Sequence, residues 1–143
     1  MTQWFQQELR VDTGGRETRD ITEAITNLVD QSGVRTGLCH IFIRHTSASL
    51  AITENADPAV RHDLETFMQS TVADGNPRYT HTSEGDDDMS AHLRSLLTDT
   101  AVTVPVSGRR LALGTWQGIY LWEHRTRPHR RTVVVTVWGE GAG

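Results

Sequence analysis

Residues 101–123, AVTVPVSGRRLALGTWQGIYLWE, carry the clearest information about how this chain folds. Apolar residues alternate with others up to Val106, a Ser107-Gly108 turn follows, and the second arm covers Arg110 to Leu113. This pattern is typical of a β-hairpin. Residues 114–123 then predict another strand. Strands joined by such short turns pair in antiparallel fashion, so the segment predicts an antiparallel sheet.

The rest of the chain adds further strands and three helices to this sheet. Strands are predicted at residues 3–12, 37–45, 49–54 and 131–138. The last of these places Val133, Val135 and Val137 on one face. The result is seven or eight strands and three helices in a single domain spanning residues 1–143. We therefore expect an α+β fold built on a largely antiparallel sheet, arranged as a sandwich or barrel.

Helical periodicity predicts which side chains the helices bury. The first helix opens at Asp20 or Thr22 and stops at Gly33. The second has Asp57 as its cap and Pro58 in its first turn. Its expected buried positions are Val60, Leu64, Phe67, Met68 and Val72. The third helix follows the polar loop of residues 73–88, and its apolar positions are Met89, Leu93, Leu96 and Leu97.

Composition excludes several classes of function. The net charge is −4 and all fourteen basic residues are arginine, so Schiff-base catalysis and a lysine-dependent phosphate loop are excluded. The acidic balance argues against a nucleic-acid partner. No apolar run approaches the roughly 20 residues of a membrane span, and the N-terminus lacks signal-peptide features. A cytoplasmic protein without membrane contact is expected, with its single cysteine, Cys39, in the core.

Residues 78–97, RYTHTSEGDDDMSAHLRSLL, hold the densest set of chemically active groups. Residues 73–88 predict a long polar loop, and connections of this length are more often functional than not. The acids at 86–88 can cap the following helix and complement its positive end. His92 lies on or beside the apolar face of that helix. It therefore needs a hydrogen bond, a metal or a ligand as its partner.

Three histidines recur at the ends of predicted elements: His45, His81 and His92. Three imidazoles that meet can bind zinc and leave a fourth position for water or substrate. From spacing alone, the three histidines could bind zinc or could be core residues that form hydrogen bonds. Nearby carboxylates can orient ligands or serve as acid–base groups, with capping and surface charge as the alternative. These carboxylates are Glu54, Asp57, Asp63 and Asp87.

Residues 124–131 form a cationic segment in an otherwise acidic chain. Its arginines and histidines can clamp a phosphate group. A solvated hairpin turn explains the same composition.

Three longer segments resemble the signature blocks of the YjbQ family of small bacterial and archaeal proteins, often labelled secondary thiamine-phosphate synthases. They are HTSASLAITENADPAVRHDLETF, HTSEGDDDMSAHLRSLL and VPVSGRRLALGTWQGIYLWEHR. The resemblance extends from about Trp4 to Trp138. It implies an α+β homotrimer with sites in clefts between subunits. It also implies a reaction that joins a hydroxymethylpyrimidine pyrophosphate to a thiazole phosphate and releases pyrophosphate.

The resemblance also implies site residues. Recurrent histidines of the family fall on His45, His81 and His92. Its acidic and amide positions fall on Glu54, Asn55, Asp57, Asp63, Gln117 and Glu123. We expect a metal-dependent enzyme for a small anionic or phosphorylated ligand, with zinc on the three histidines, or magnesium if the substrate is a pyrophosphate. The alternative is a non-enzymatic trimeric module that binds a metal, an anion or a metabolite.

Roles follow from these expectations. The expected catalytic residues are Glu54, Asp63 and Asp87. The expected substrate-binding residues are Asn55, Arg94, Gln117, Arg130 and Arg131.

Overall fold

Eight strands and three helices make up residues 1–141, the part of the chain that the computed structural model describes. The α+β class and the number of elements agree with the prediction. The elements are β1 (Thr2–Thr13), β2 (Glu17–Asp20), α1 (Thr22–Ser32), β3 (Val34–Ile43), β4 (Ala48–Glu54), α2 (Pro58–Thr71), α3 (Asp86–Leu97), β5 (Ala101–Ser107), β6 (Arg110–Leu111), β7 (Gln117–Glu123) and β8 (His129–Gly141). Over the described residues, no helix is long and apolar enough to cross a membrane.

The strands form two sheets, and the pairing in both is antiparallel, as the hairpin pattern predicted. The larger sheet has the order β1-β8-β3-β5-β6 and the smaller one the order β2-β7-β4. Valine-rich β8 pairs with β1 along one edge and with β3 along the other. The predicted hairpin is present as β5–β6, with Val106 opposite Leu111. The strand after it does not extend the hairpin: β7 crosses to the smaller sheet and lies between β2 and β4.

The hydrophobic core is formed by both sheets together with α1. Every second residue of β8 points into it, so Val133, Val135 and Val137 are fully buried, as predicted. Cys39 is also fully buried, and its position in the core is confirmed.

Two predicted helix boundaries are confirmed by the backbone. Gly33 ends α1 with a φ of 71°, in the left-handed region that glycine adopts at low cost. Asp57 caps α2, and its carboxylate accepts a hydrogen bond from the amide of Ala59 at 2.9 Å. Pro58 occupies the first turn.

The start of α3 differs from the prediction. Gly85, not an aspartate, is the N-cap residue, and no side chain caps the helix. Its φ of 104° lies in a region that favours glycine. The helix begins at Asp86, so the end of the predicted loop is helical, and the three aspartates occupy the first turn, where they complement the helix dipole.

Several apolar side chains expected in the core are exposed. Phe67 is 61% exposed, Leu96 81% and Leu97 61%. Both α2 and α3 lie at the surface, and α3 turns mainly polar residues inward. Its buried residues are Asp88, Ser90, Ala91 and Arg94. These polar groups are paired with one another or with neighbouring elements, which removes the usual cost of burying them.

Candidate metal centre

His81, Asp88 and His92 converge at the N-terminal end of α3. Asp88 and His92 are four residues apart and so share one face of the helix, while His81 comes from the preceding loop. The Nε2 atoms of His81 and His92 lie 2.6 and 3.1 Å from Oδ2 of Asp88. The three donor atoms lie within 4.8 Å of one another.

The backbone fixes which nitrogen of His92 faces this centre. Nδ1 of His92 lies 2.9 Å from the carbonyl oxygen of Thr46, which only accepts, so Nδ1 carries a proton. In the neutral ring the lone pair of Nε2 is then directed at the Asp88 carboxylate. Two lone pairs that face each other need a proton or a cation between them, and a carbonyl-oriented histidine is the usual arrangement at metal sites.

The chemistry of the donors fits a transition metal. Two imidazole nitrogens and one carboxylate oxygen suit zinc and related ions, whereas magnesium prefers oxygen ligands alone. Asp88 is buried while His81 and His92 are partly exposed, so an ion here would be reached from solvent through the histidine side.

Arg125 lies on the buried side of the same carboxylate. Its Nη1 atom donates to Oδ1 of Asp88 at 2.9 Å, and its Nε atom donates to Asp87 at 3.0 Å. The amide of Thr126 also donates to Asp87, at 2.8 Å. Burial opposes the charged form of Asp87, but the Arg125 guanidinium and Thr126 outweigh it and hold its pKa well below the usual range.

His45 lies apart from the group of three. Its Nε2 atom accepts a hydrogen bond from the amide of Thr132 at 2.9 Å, and Nη1 of Arg131 lies 3.4 Å from its Nδ1. Burial, followed by the charge of Arg131, lowers the pKa of His45 and favours the neutral ring. Of the three histidines predicted to bind metal, the structure brings together two and adds Asp88.

His45 and His92 nevertheless face a common cleft of about 460 Å³. This volume lies within the range of sites that bind small molecules. The remaining lining is mostly small or apolar and consists of Thr46, Ser95, Leu96 and Thr100.

The arginines predicted to bind substrate are engaged in other contacts. Arg94 is fully buried and donates to Glu65 at 3.0 and 3.2 Å and to the carbonyl of Val72 at 3.2 Å. Arg131 is buried against Glu123 and the carbonyl of Ser47. Arg130 is exposed and lies 3.4 Å from Asp12. The cationic segment is thus not a solvated turn throughout, since its residues at 124, 125 and 131 are buried.

Glu54, Asn55 and Gln117 form a second group at the opposite end of the smaller sheet. Glu54 is paired with Gln117 in the β4–β7 ladder, whereas Ala48, close to Thr46, is paired with Glu123. Six strand residues at about 3.3 Å each separate the two ends, a distance of about 20 Å. Glu54 accepts from the amide of Asp57 at 3.0 Å, and Asn55 donates to the carbonyls of Thr115 and Gln117 at 3.3 Å. Within one chain this group does not reach the metal centre.

Asp63 is an exposed residue of α2, and its carboxylate lies 3.5 Å from His62. Asp87 is the one predicted catalytic residue that lies beside the centre, and there it is bound to Arg125.

Asp88 and Arg125 were not assigned to the site from the sequence. The signal for Asp88 was present: an acid four residues before a histidine on a helix places both on one face. Arg125 carries no such signal, because it is 37 residues from Asp88 and only the fold brings them together.

Comparison with known proteins identifies the family. A family model described as UPF0047 protein YjbQ-like matches residues 7–140. The chain belongs to the YjbQ family. It is 52% identical to the UPF0047 protein sll1880 of Synechocystis over 94% of this chain and 92% of that protein. It is 44% identical to YjbQ of Escherichia coli O157:H7, over 96% and 99% of the two chains. The resemblance found in the sequence is therefore confirmed.

Two solved structures show the same fold. A YbjQ-like protein of unknown function from Sulfolobus solfataricus superposes with a TM-score of 0.90 at 26% identity, covering 98% of this chain and all of the other. A hypothetical protein from Aeropyrum pernix superposes with a TM-score of 0.86 at 29% identity, covering 95% and 99%.

Proposed function

We propose that the protein is a metal-dependent enzyme for a small anionic or phosphorylated molecule, with zinc held by His81, Asp88 and His92. The observation that carries this proposal is the orientation of His92. The Thr46 carbonyl fixes its Nδ1 proton and thereby directs the lone pair of Nε2 towards Asp88. When bound, a divalent metal supplies positive charge that polarises and neutralises a phosphate oxygen.

The cleft beside the centre would hold the organic part of the substrate. Its lining at Leu96, Thr46 and Thr100 is uncharged, and His45 is held neutral by burial and by Arg131. Arg94, Arg125 and Arg131 are engaged within the chain, so an anionic group would be directed to the metal rather than to a guanidinium.

The specific reaction that we propose to test first is the one implied by the family resemblance. It joins a hydroxymethylpyrimidine pyrophosphate to a thiazole phosphate with release of pyrophosphate. Each precursor combines an uncharged ring with a phosphate group, which matches a metal centre beside an uncharged cleft. Two nitrogen donors favour zinc over magnesium for this centre.

Metal content per chain tests the proposal. We expect about one zinc per chain in the wild type. The His92→Ala and Asp88→Ala variants should lose it, while His62→Ala, which changes an exposed histidine of α2, should keep it. Absence of metal from a wild-type protein offered zinc would overturn the proposal. Metal-loaded protein that forms no thiamine phosphate from both precursors would remove that reaction but leave the centre.

We further propose that the protein is a homotrimer. Trp4, Leu38 and Phe42 lie on one face of the larger sheet and are exposed. Exposed apolar patches of this kind mark interaction surfaces. A neighbouring copy could bring its Glu54, Asn55 and Gln117 to the centre, which these residues do not reach within one chain.

A non-enzymatic module that binds a metal or an anion is the second candidate. It is favoured by the pairing of Asp87 and Asp88 with Arg125, since an ion-paired carboxylate is a poor proton donor or acceptor. Saturable binding of a phosphate ester to the metal-loaded protein, without turnover of any ester, would favour the module over the enzyme.

A further inference from the structure

We propose that Arg125 is a positioning residue of the metal centre and that it makes Asp88 a ligand through one oxygen only. The proposal rests on the proposed function, because it concerns the same centre. Nη1 of Arg125 donates a hydrogen bond to Oδ1 of Asp88 at 2.9 Å. The other oxygen, Oδ2, is the atom that both His81 and His92 approach.

Arg125 is itself held rigidly. Its side chain is buried, with Nε bound to Asp87 at 3.0 Å and Nη2 bound to the carbonyl of Glu84 at 3.0 Å. Its backbone amide donates to Glu123 at 3.1 Å. The guanidinium of Arg125 therefore connects the turn before β8 to the loop before α3 and to the first turn of that helix. A planar guanidinium with several fixed partners orients a carboxylate more strictly than a lysine could.

In this arrangement Oδ1 of Asp88 accepts from Arg125, and Oδ2 is left to bind the metal. A carboxylate that is free on both oxygens can rotate or bind a metal through both. Arg125 prevents either motion and keeps Oδ2 directed at the two histidines before any ion arrives. Hydrogen-bond partners that orient metal ligands in this way typically contribute 10–100-fold to metal affinity.

Whether metal affinity rises or falls when Arg125 is replaced distinguishes a positioning role from the repulsion between its charge and the metal. A guanidinium so close to the centre repels a metal cation, so removing its charge should strengthen metal binding if charge were its main effect. Removing a positioning group should instead weaken it. Arg125→Gln removes both the fork and the charge, whereas Arg125→Lys keeps the charge and loses the fork.

The test is zinc affinity, measured by competition with a chromophoric chelator, for the wild type and both variants. We expect Arg125→Gln to lower the affinity by about 10–100-fold and Arg125→Lys to lower it by a smaller factor. The control is Arg19→Gln, which removes the same charge. Arg19 also pairs with a carboxylate, Glu17 at 3.1 Å, and lies on β2, outside the contacts of Arg125 and of the group of three. It should leave the zinc affinity unchanged.

Cobalt provides a second readout that general loosening of the fold would not imitate. Loading the centre with Co²⁺ reports coordination through its visible absorption, which weakens as the coordination number rises. We expect weaker bands in Arg125→Gln, as Asp88 becomes free to bind through both oxygens, and wild-type bands in Arg19→Gln. Thermal unfolding establishes that each variant is folded. If Arg125→Gln does not fold, the zinc affinity of Arg125→Lys tests the proposal.

Each outcome has a defined meaning. Zinc affinity that is unchanged or higher in the Arg125 variants, while the wild type binds zinc, overturns the role of Arg125 and leaves the proposed function standing. A wild type that binds no zinc overturns both. Lower affinity in the Arg125 variants with unchanged affinity in Arg19→Gln supports both.

Discussion

His124 is a buried histidine outside the proposed metal centre. It is fully buried, and its Nε2 atom lies 2.8 Å from Oγ of Ser49. Its Nδ1 atom has no hydrogen-bond partner within residues 1–141. Burial lowers the pKa of His124 to about 3, and the charge of Arg94 adds to this effect. The folded protein therefore holds the ring neutral.

This burial predicts a stability that depends on pH. The unfolded chain binds a proton at His124 near its ordinary pKa of about 6.5, whereas the folded chain does not until the pH nears 3. The contribution of the neutral His124 to the free energy of unfolding is therefore fully present above pH 6.5 and is lost as the pH falls towards 3. Between pH 7 and pH 5 the wild type should lose about 2 kcal/mol relative to His124→Gln. Urea unfolding at both pH values measures the difference, and a constant difference would contradict the prediction.

Glu123 and Arg131 form an ion pair in the interior, with Nε of Arg131 2.8 Å from Oε1 of Glu123. Thr13 also donates to this carboxylate, at 2.7 Å. Changing Glu123 to Gln removes one partner and leaves the guanidinium buried without its counter-charge. Such a change costs about 3–5 kcal/mol.

Urea unfolding at pH 7 measures this loss. The control is Glu140→Gln, at an exposed pair with the N-terminus, which should not change stability measurably. Equal effects of the two substitutions would show that the buried pair does not stabilise the fold.

At the residue scale, the sequence allowed two of the four central side chains to be identified. His81 and His92 stood out because they occupy a polar segment beside a helix. Asp88 was interpreted as part of a charged cap, and Arg125 as part of a cationic turn. The pairing between them arises from tertiary contacts across 37 residues, which no local pattern encodes.

At the element scale, the backbones of β3 and β8 leave no room for a side chain at the paired residues Gly37 and Gly139. A methyl group added to Gly37 would overlap the carbonyl oxygen of Trp138, an atom of the backbone that cannot rotate away. We expect Gly37→Ala to destabilise the protein by about 1–3 kcal/mol. Gly14→Ala, where the nearest atom lies at an ordinary 3.4 Å, should have little effect. Thermal unfolding of the two variants checks the contrast, and similar midpoints would contradict it.

The exposed leucines at the end of α3 provide a test of the cleft. Leu96 lines it and Leu97 does not, although both are exposed. In the metal-loaded protein, Leu96→Asp should weaken binding of phenyl phosphate about tenfold or more, because burying an apolar group against leucine contributes about 1.5–3 kcal/mol. Binding of methyl phosphate should change far less.

Leu97→Asp is the matched control for this experiment and should bind both esters as the wild type does. Isothermal titration gives the six affinities of the wild type and the two variants for the two esters. If the two aspartate variants weakened both esters equally, the cleft would not hold the organic part of the ligand.

Periodicity predicted where α3 lies but not which side it buries. Leu96 and Leu97 were expected inside, whereas the helix buries Asp88 and Arg94 instead. A prediction from hydrophobic periodicity places charged side chains in solvent. Here Arg94 pairs with Glu65 and Asp88 pairs with Arg125, so these charged groups are buried and the leucines are exposed. Strands were predicted better because most of them alternate between a core face and an outer face.

At the scale of the whole molecule, the class of fold followed from the order of strands and helices, but the assignment of each strand to one of the two sheets did not. The hairpin β5–β6 and the strand β7 are consecutive in the chain yet lie in different sheets. The turn that redirects the chain depends on side-chain contacts. Gln117 closes it by accepting a hydrogen bond from the amide of Gly114 at 2.8 Å.

The outer face of the larger sheet argues for an assembly. Trp4 stacks on Trp138 with ring centroids 5.3 Å apart, and Leu38 lies opposite Trp138 on the neighbouring strand. Phe42 follows four residues after Leu38 and so points to the same side. A face of this kind costs free energy when it is left in water, and association with other copies removes that cost.

If this face forms the trimer, light scattering should give the wild type three times the 16.0 kDa mass of the chain. Phe42→Glu should lower that mass, because a buried carboxylate without a partner opposes association. Gln31→Glu, which adds the same charge to the exposed surface of α1, should leave it unchanged. A wild type of 16.0 kDa would contradict the homotrimer. It would also leave Glu54, Asn55 and Gln117 at the far end of the smaller sheet, about 20 Å along the strands from the end nearest the proposed metal centre.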